Sequence, residues 1–248
     1  MTPATVSDGP FPPSRRLAAL ALVPLLLVPT IARAGRGGAE VDPRVREVLA
    51  RIDRAQQSLE TLRAEVVETR ELALLDDPQR LTGRLLYRKP DKLLWEYRTP
   101  ERRMYLLADG KLTGWAPDRN EVERVSTSRY ERRLRRLLAI GQDGASLAKE
   151  FRIELAERPA VEGTDELVLV PKSRRVRKRV AEIRLCIDRR DGLPRRIRYR
   201  SGDGDRVTLD LVKIEVNPEL PGSAFTLAIP PDAKVVDGLA SLGLPGAS

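Results

Sequence analysis

Side chains that could carry out catalysis are scarce in this chain, and those present are not spaced for it. Histidine is absent and cysteine occurs once, at Cys186. That removes the commonest general base and the commonest metal ligand, so zinc and other transition-metal sites are not expected. Asp76 and Asp77 are adjacent carboxylates, but Pro78 follows them and the trio reads as a turn. Neither a G-x-x-x-x-G-K-S/T phosphate loop nor a G-x-S-x-G nucleophile elbow occurs. The residues point away from an enzyme and toward a protein that binds, with no cofactor.

Positive charge is plentiful: 45 Lys and Arg face 36 Asp and Glu, a net charge of +9. Two clusters stand out, "RYERRLRR" at 129–136 and "KSRRVRKR" at 172–179. Such runs are most often solvated loops. The sharper reading of Lys172, Arg174, Arg175 and Arg177 is a patch that docks an acidic partner or an anionic membrane surface. The 172–179 cluster holds no aromatic residue and 129–136 holds only Tyr130, no series on which bases could stack, and export argues against nucleic acid as a partner.

The first 34 residues read as a targeting segment. Arg15 and Arg16 precede the apolar stretch "LAALALVPLLLVPTI", and "ARAG" supplies an A-x-A site with cleavage expected after Ala34. A membrane span needs about 20 apolar residues, and Pro24 and Pro29 interrupt this one, which makes a retained anchor the lesser reading. "SRRLAAL" brushes the twin-arginine export pattern, but the usual phenylalanine is missing. Export leaves the lone Cys186 without a partner in its own chain, so a core must hold the fold.

The elements that would build this core follow from periodicity. "PRVREVLARIDRAQQSL" (43–59) sets Val45, Val48, Leu49, Ile52 and Leu59 on one helical stripe. Alternating strands are expected at 62–75, 80–89, 92–99, 103–108, 111–116 and 121–126, with Asp109-Gly110 as a hairpin turn. A helix is expected at 128–140, with Leu134, Leu137 and Leu138 at helical spacing, and a further helical turn in "ASLAKEF". Strands then resume at 151–157, 166–171, 180–188, 194–200, 206–216 and 224–228. In "AEIRLCID" the apolar face is Ala181, Ile183, Leu185 and Ile187, which leaves Cys186 half-exposed among charges. The expectation is an α+β, mainly β single domain over 35–238, followed by a flexible tail at 239–248. Its sheet of about 11 antiparallel strands must curl, with helices over its apolar concave face.

Several motifs, in order, carry a family likeness. "RKPDKLLWEYRTP", "LLADGKLTGWAPDRNEVERV", "LVPK" and "NPELPGSAFTLAIPPDAKVV" together resemble the LolA family of periplasmic lipoprotein carriers, over roughly residues 44–236. The resemblance implies a half-open β-barrel whose cavity takes the acyl chains of lipoproteins across the periplasm. It further implies a monomer that receives cargo from an inner-membrane lipoprotein-releasing ABC transporter and passes it to an outer-membrane acceptor. Leu85, Leu93, Trp95, Tyr97, Leu107, Ile183 and Leu209 are the expected cavity lining. In the family an arginine before the proline of the first motif bonds lid carbonyls; here that position is Lys89, with Arg88 one place earlier. Lys89, Leu134, Leu137 and Leu138 are the expected lid contacts. A related fold could also carry or sense a free lipid or glycolipid.

Overall fold

The computed structural model describes residues 42–73, 76–126 and 144–237. The expected signal segment, the helix at 128–140 with Leu134, Leu137 and Leu138, and the tail at 239–248 lie outside these residues. Among the described residues no helix is long and apolar enough to cross a membrane.

Helix α1 spans Pro43–Ser58, with Pro43 in its first turn, where a missing N–H costs nothing. The Asp42 carboxylate caps it by accepting from the Arg44 N–H at 2.8 Å. Strands β1 (Thr61–Glu71), β2 (Gln79–Arg88), β3 (Lys92–Thr99), β4 (Arg103–Ala108), β5 (Lys111–Ala116) and β6 (Glu121–Ser126) follow as a meander. Asp109 and Gly110 both take positive φ in the β4–β5 turn, as a two-residue hairpin with matching twist requires. Helix α2 (Gly144–Glu150) then leads into β7 (Phe151–Leu155) and β8 (Thr164–Pro171). A single helical turn, α3 (Arg174–Arg177), precedes β9 (Val180–Asp188), β10 (Pro194–Ser201), β11 (Arg206–Val216) and β12 (Lys234–Asp237).

All twelve strands form one sheet in the order β12-β6-β5-β4-β3-β2-β1-β11-β10-β9-β8-β7. β1 sits centrally and pairs with both β2 and β11, which joins the two halves of the meander. The sheet is open and curled, with β12 and β7 at its edges. β12 pairs with β6 in parallel, the one departure from the antiparallel expectation.

Three expectations are corrected. Residues 224–228 are not a strand: Gly222–Phe225 form a 3-10 turn, and the strand lies later, at β12. Pro221, Pro230 and Pro231 flank this stretch and lack the N–H a ladder needs. The turn instead packs Phe225 with Leu86, Leu94 and Leu220 on the outer face of the sheet. Second, the 172–179 run is not wholly loop, since α3 drops Val176 into the core. Third, Cys186 is fully buried. Its strand face is charged, but the 156–163 segment folds over it, with Ala156 N–H donating to Glu166 O at 2.8 Å. Burial, with Glu166 alongside, pushes the thiol up, and such a thiol is inert.

The charges around Cys186 form a closed network. Glu166 is 1% exposed, accepts from the Ala160 N–H at 2.8 Å and pairs with Arg198 and Arg184. Burial alone would raise its carboxyl, but these donors outweigh it and hold the group below the usual 4.5. Asp165 is likewise held low: burial opposes, and Arg51 and Arg189 prevail. A depressed folded pKa stabilises above the unfolded value, and that stability is lost as pH falls through the folded one. Denaturant titrations should therefore show stability declining below about pH 4.5. Glu166→Gln should flatten this acid limb and cost about 2 kcal/mol at pH 7, the worth of hydrogen bonds to a charged group whose arginine partners can rehydrate.

Candidate functional site

The concave face is read off the strand register. Leu62, Tyr87, Leu93, Leu107 and Leu112 stand opposite one another across β1 to β5. The next row is Ala64, Leu85, Trp95, Tyr105 and Gly114, and a third is Val66, Gly83, Tyr97 and Arg103. Glycine is required at 83, because a Cβ there would lie 1.9 Å from the Glu96 carbonyl oxygen. The β2–β3 register runs unbroken through the Gly83–Tyr97 pair, which ordinary alternation places in the third row, and shifts just beyond it, where Thr82 pairs with Thr99.

These rows form one apolar cluster, and a second lies across β7 to β10. Helix α1 lies over both. Val45, Val48, Leu49 and Ile52 belong to the second cluster, while Ala55 and the following Leu59 pack on the first. Of the expected lining residues, Leu85, Leu93, Trp95, Tyr97 and Leu107 are in the first cluster and Leu209 packs against it partly buried. Ile183 is separated from them, in the second cluster beneath the N-terminal half of α1.

Polar ties hold α1 along its length, and at its C-terminal end Asn217 Nδ2 donates to the Ser58 carbonyl at 3.0 Å. The Arg51 guanidinium donates to Asp165 at 2.7 Å, with both side chains 16% exposed. At the C-terminal end Lys89 Nζ donates to the Gln57 carbonyl and to a Glu60 carboxylate oxygen, each at 3.2 Å. Arg88, one residue earlier, points to the outer face, where it bonds the Leu220 carbonyl and lies 5.1 Å over the Phe225 ring. Alternation along β2 thus decides which of the two basic residues meets the helix. A cavity of about 400 Å³ opens beside α1, lined by Ala55, Leu59, Leu193 and Val216 with Arg54 and Arg190. That size falls within the range of small-ligand sites.

Sequence reasoning missed several site residues. Leu193 and Val216 sit at strand ends, where no period marks them. Glu68 and Arg70 were missed despite a signal: they continue the alternation of Leu62, Ala64 and Val66 onto the same face. Both are buried, and Arg70 Nε donates to Glu68 Oε1 at 2.5 Å while the Tyr97 hydroxyl donates to Glu68 Oε2 at 2.5 Å. Burial, reinforced by Glu68, pushes the Tyr97 hydroxyl well up, so it remains a donor. Burial works against the Arg70 charge, and Glu68 outweighs it. Both oxygens of Glu68 are thus engaged, which suits a structural ion pair rather than an acid or base. Among the described residues no group of His, Cys, Asp and Glu could hold a metal ion.

Of the basic run, Lys172 donates to the Ala148 carbonyl at 2.7 Å and Arg177 to the Pro171 carbonyl at 3.2 Å. Arg174 and Arg175 are exposed.

Comparison with known proteins agrees with this architecture. Residues 57–228 match the family described as "Outer membrane lipoprotein carrier protein LolA". An outer-membrane lipoprotein carrier protein of Chromohalobacter salexigens is 28% identical over 226 residues, covering 88% of this chain and 95% of that one. One from Pseudomonas fluorescens is 23% identical over 223 residues, covering 89% and 99%. Among solved structures, an uncharacterized conserved protein from Thermus thermophilus superposes with a TM-score of 0.52 at 15% identity, over 78% of this chain and 98% of that one. MucB gives 0.51 at 14% identity, over 78% and 66%, and both share the fold. With its family match spanning most of the chain, this protein belongs to the LolA family of outer membrane lipoprotein carriers.

Proposed function

We propose that the protein is a periplasmic chaperone that shields the acyl chains of lipoproteins and carries them from the inner to the outer membrane. The observation that carries this reading is the apolar concave face, three rows deep across β1 to β4, which continues into a second apolar cluster under α1, with Ala55 and Leu59 at the helix's C-terminal end packing on the rows themselves. Each acyl methylene left in water costs about 0.8 kcal/mol, so a lipoprotein with two or three chains crosses an aqueous space only when covered. A carrier meets that need with buried area and no chemistry, consistent with the engaged carboxylates and the inert thiol. Cargo would enter by displacing α1 from the concave face. Leu85, Leu93, Trp95, Tyr97, Leu107 and Leu209 would then meet the chains, with Ile183 reached only if α1 lifts along its whole length.

Its partners would be an ATP-driven inner-membrane extractor and, where the cell has one, a dedicated outer-membrane acceptor, with the carrier acting as a monomer. Arg174 and Arg175 would dock an acidic face of the extractor, while Lys172 and Arg177 serve chiefly to hold the local fold. Reversing both exposed charges should slow association in a salt-dependent manner, and an unchanged rate at low salt would contradict this.

Mass spectrometry of the protein purified from the periplasm tests the cargo assignment. Co-purified acylated peptides are expected, whereas free glycolipid would favour a lipid carrier or sensor instead. Lys89→Ala should shorten cargo retention about threefold, since a half-exposed tie of this kind contributes roughly 0.5–1 kcal/mol. Unchanged uptake and release would remove Lys89 from the latch.

A further inference from the structure

The middle row of the concave face contains a polar atom that the apolar reading does not explain. Trp95 is 6% exposed and stands between Leu85 and Tyr105. Its indole Nε1–H is buried without a hydrogen-bond partner among the described residues. Buried donors are almost always paired, and an unpaired one costs stability. A phenylalanine would fill the same row without that cost.

The neighbouring polar groups bond one another rather than the indole. Tyr97 lies beside Trp95, with ring centroids 5.9 Å apart. Its hydroxyl and Arg70 occupy the two oxygens of Glu68. Tyr105 interacts with Arg103, whose guanidinium stays charged because that hydroxyl and Glu101 outweigh the burial opposing them. An indole N–H only donates, so its missing partner must be an acceptor. On an acylated cargo the hydrocarbon offers none. The acceptors are the carbonyl oxygens that join each chain to its head group, by ester or amide.

We infer that Trp95 Nε1–H is a recognition group that hydrogen-bonds an ester or amide carbonyl of the acylated ligand, so that the site reads the acyl linkage as well as the chain. The inference rests on the carrier reading above and adds a specificity-determining residue to it. Rows of leucine fix no depth, because a chain can slide along them without loss. One directional bond at Trp95 sets where the linkage stops, with the chains running on over Leu85, Leu93 and Leu107.

The test uses the full-length mature protein and two synthetic probes, an ester-linked diacyl lipopeptide and its dialkyl ether analogue with the same chains. Affinities are read by displacement of a fluorescent fatty acid. The unmodified protein should bind the ester about five- to tenfold more tightly, the usual worth of one neutral hydrogen bond. In Trp95→Phe that preference should collapse to within about twofold, with the ether probe reporting any loss from packing alone. Equal binding of the two probes by the unmodified protein, a comparison that needs no variant, would overturn the inference and leave the carrier reading standing. A preference that survives in Trp95→Phe would also overturn it. Failure to bind either probe would overturn the carrier reading itself. The chain has only two tryptophans, Trp95 and Trp115, so the indole N–H resonances also report directly. The one absent from Trp95→Phe should shift downfield with the ester probe and not with the ether.

Discussion

The contact between α1 and the concave face of the sheet is the constraint on which the rest of the structure depends. A twelve-stranded sheet that curls but does not close has one face it cannot cover by itself. Among the described elements α1 is the only long helix available, and its stripe reaches both apolar clusters. Each buried aliphatic side chain contributes about 1.5–3 kcal/mol, so the few residues of that stripe decide whether the face is wet. The same non-directional contact can be exchanged for acyl chains, which are as apolar as the leucines they would replace. A core closed by interlocked side chains could not make that exchange without a large penalty.

Polar interactions divide into those that fix and those that can yield. Glu166 with Arg184 and Arg198 on the outer face, and Glu68 with Arg70 and Tyr97 on the concave one, are buried pairs whose rupture would strand a charge. They pin the strands. The ties to α1 are of another kind, because Arg51, Asp165 and Lys89 all retain access to water and can rehydrate when the helix moves. The sheet is therefore held rigidly and its cover lightly, the division a binding face beneath a movable element requires.

Much of this was legible in the sequence, and the reasons are local. The α1 stripe, the Asp109-Gly110 turn and most strands follow from period and turn chemistry, which need no tertiary knowledge. Lys89 could be placed toward the helix because side chains alternate along β2, and Arg88 lands on the outer face for the same reason. What failed depended on distant covers. The strand face of Cys186 predicts a half-exposed position, but a segment some 25 residues earlier buries it. The 224–228 run looked like a strand until its prolines and the outer-face cluster claimed Phe225. Glu68 and Arg70 escaped notice because charged residues on an apolar face look like surface until their partners are known. The unpaired Trp95 nitrogen is invisible to pattern altogether, since it depends on which groups surround the indole in the folded sheet.

The central claim is that acyl chains occupy the concave face beneath α1 rather than the apolar patch on the outer face. A lipopeptide carrying a photoreactive diazirine on its acyl chain tests this directly, with cross-linked peptides mapped by mass spectrometry. Adducts are expected at concave residues such as Leu85, Leu93 and Leu107. Adducts confined to the outer-face residues Leu86, Leu94 and Leu106, or none that compete with unlabelled lipopeptide, would contradict it.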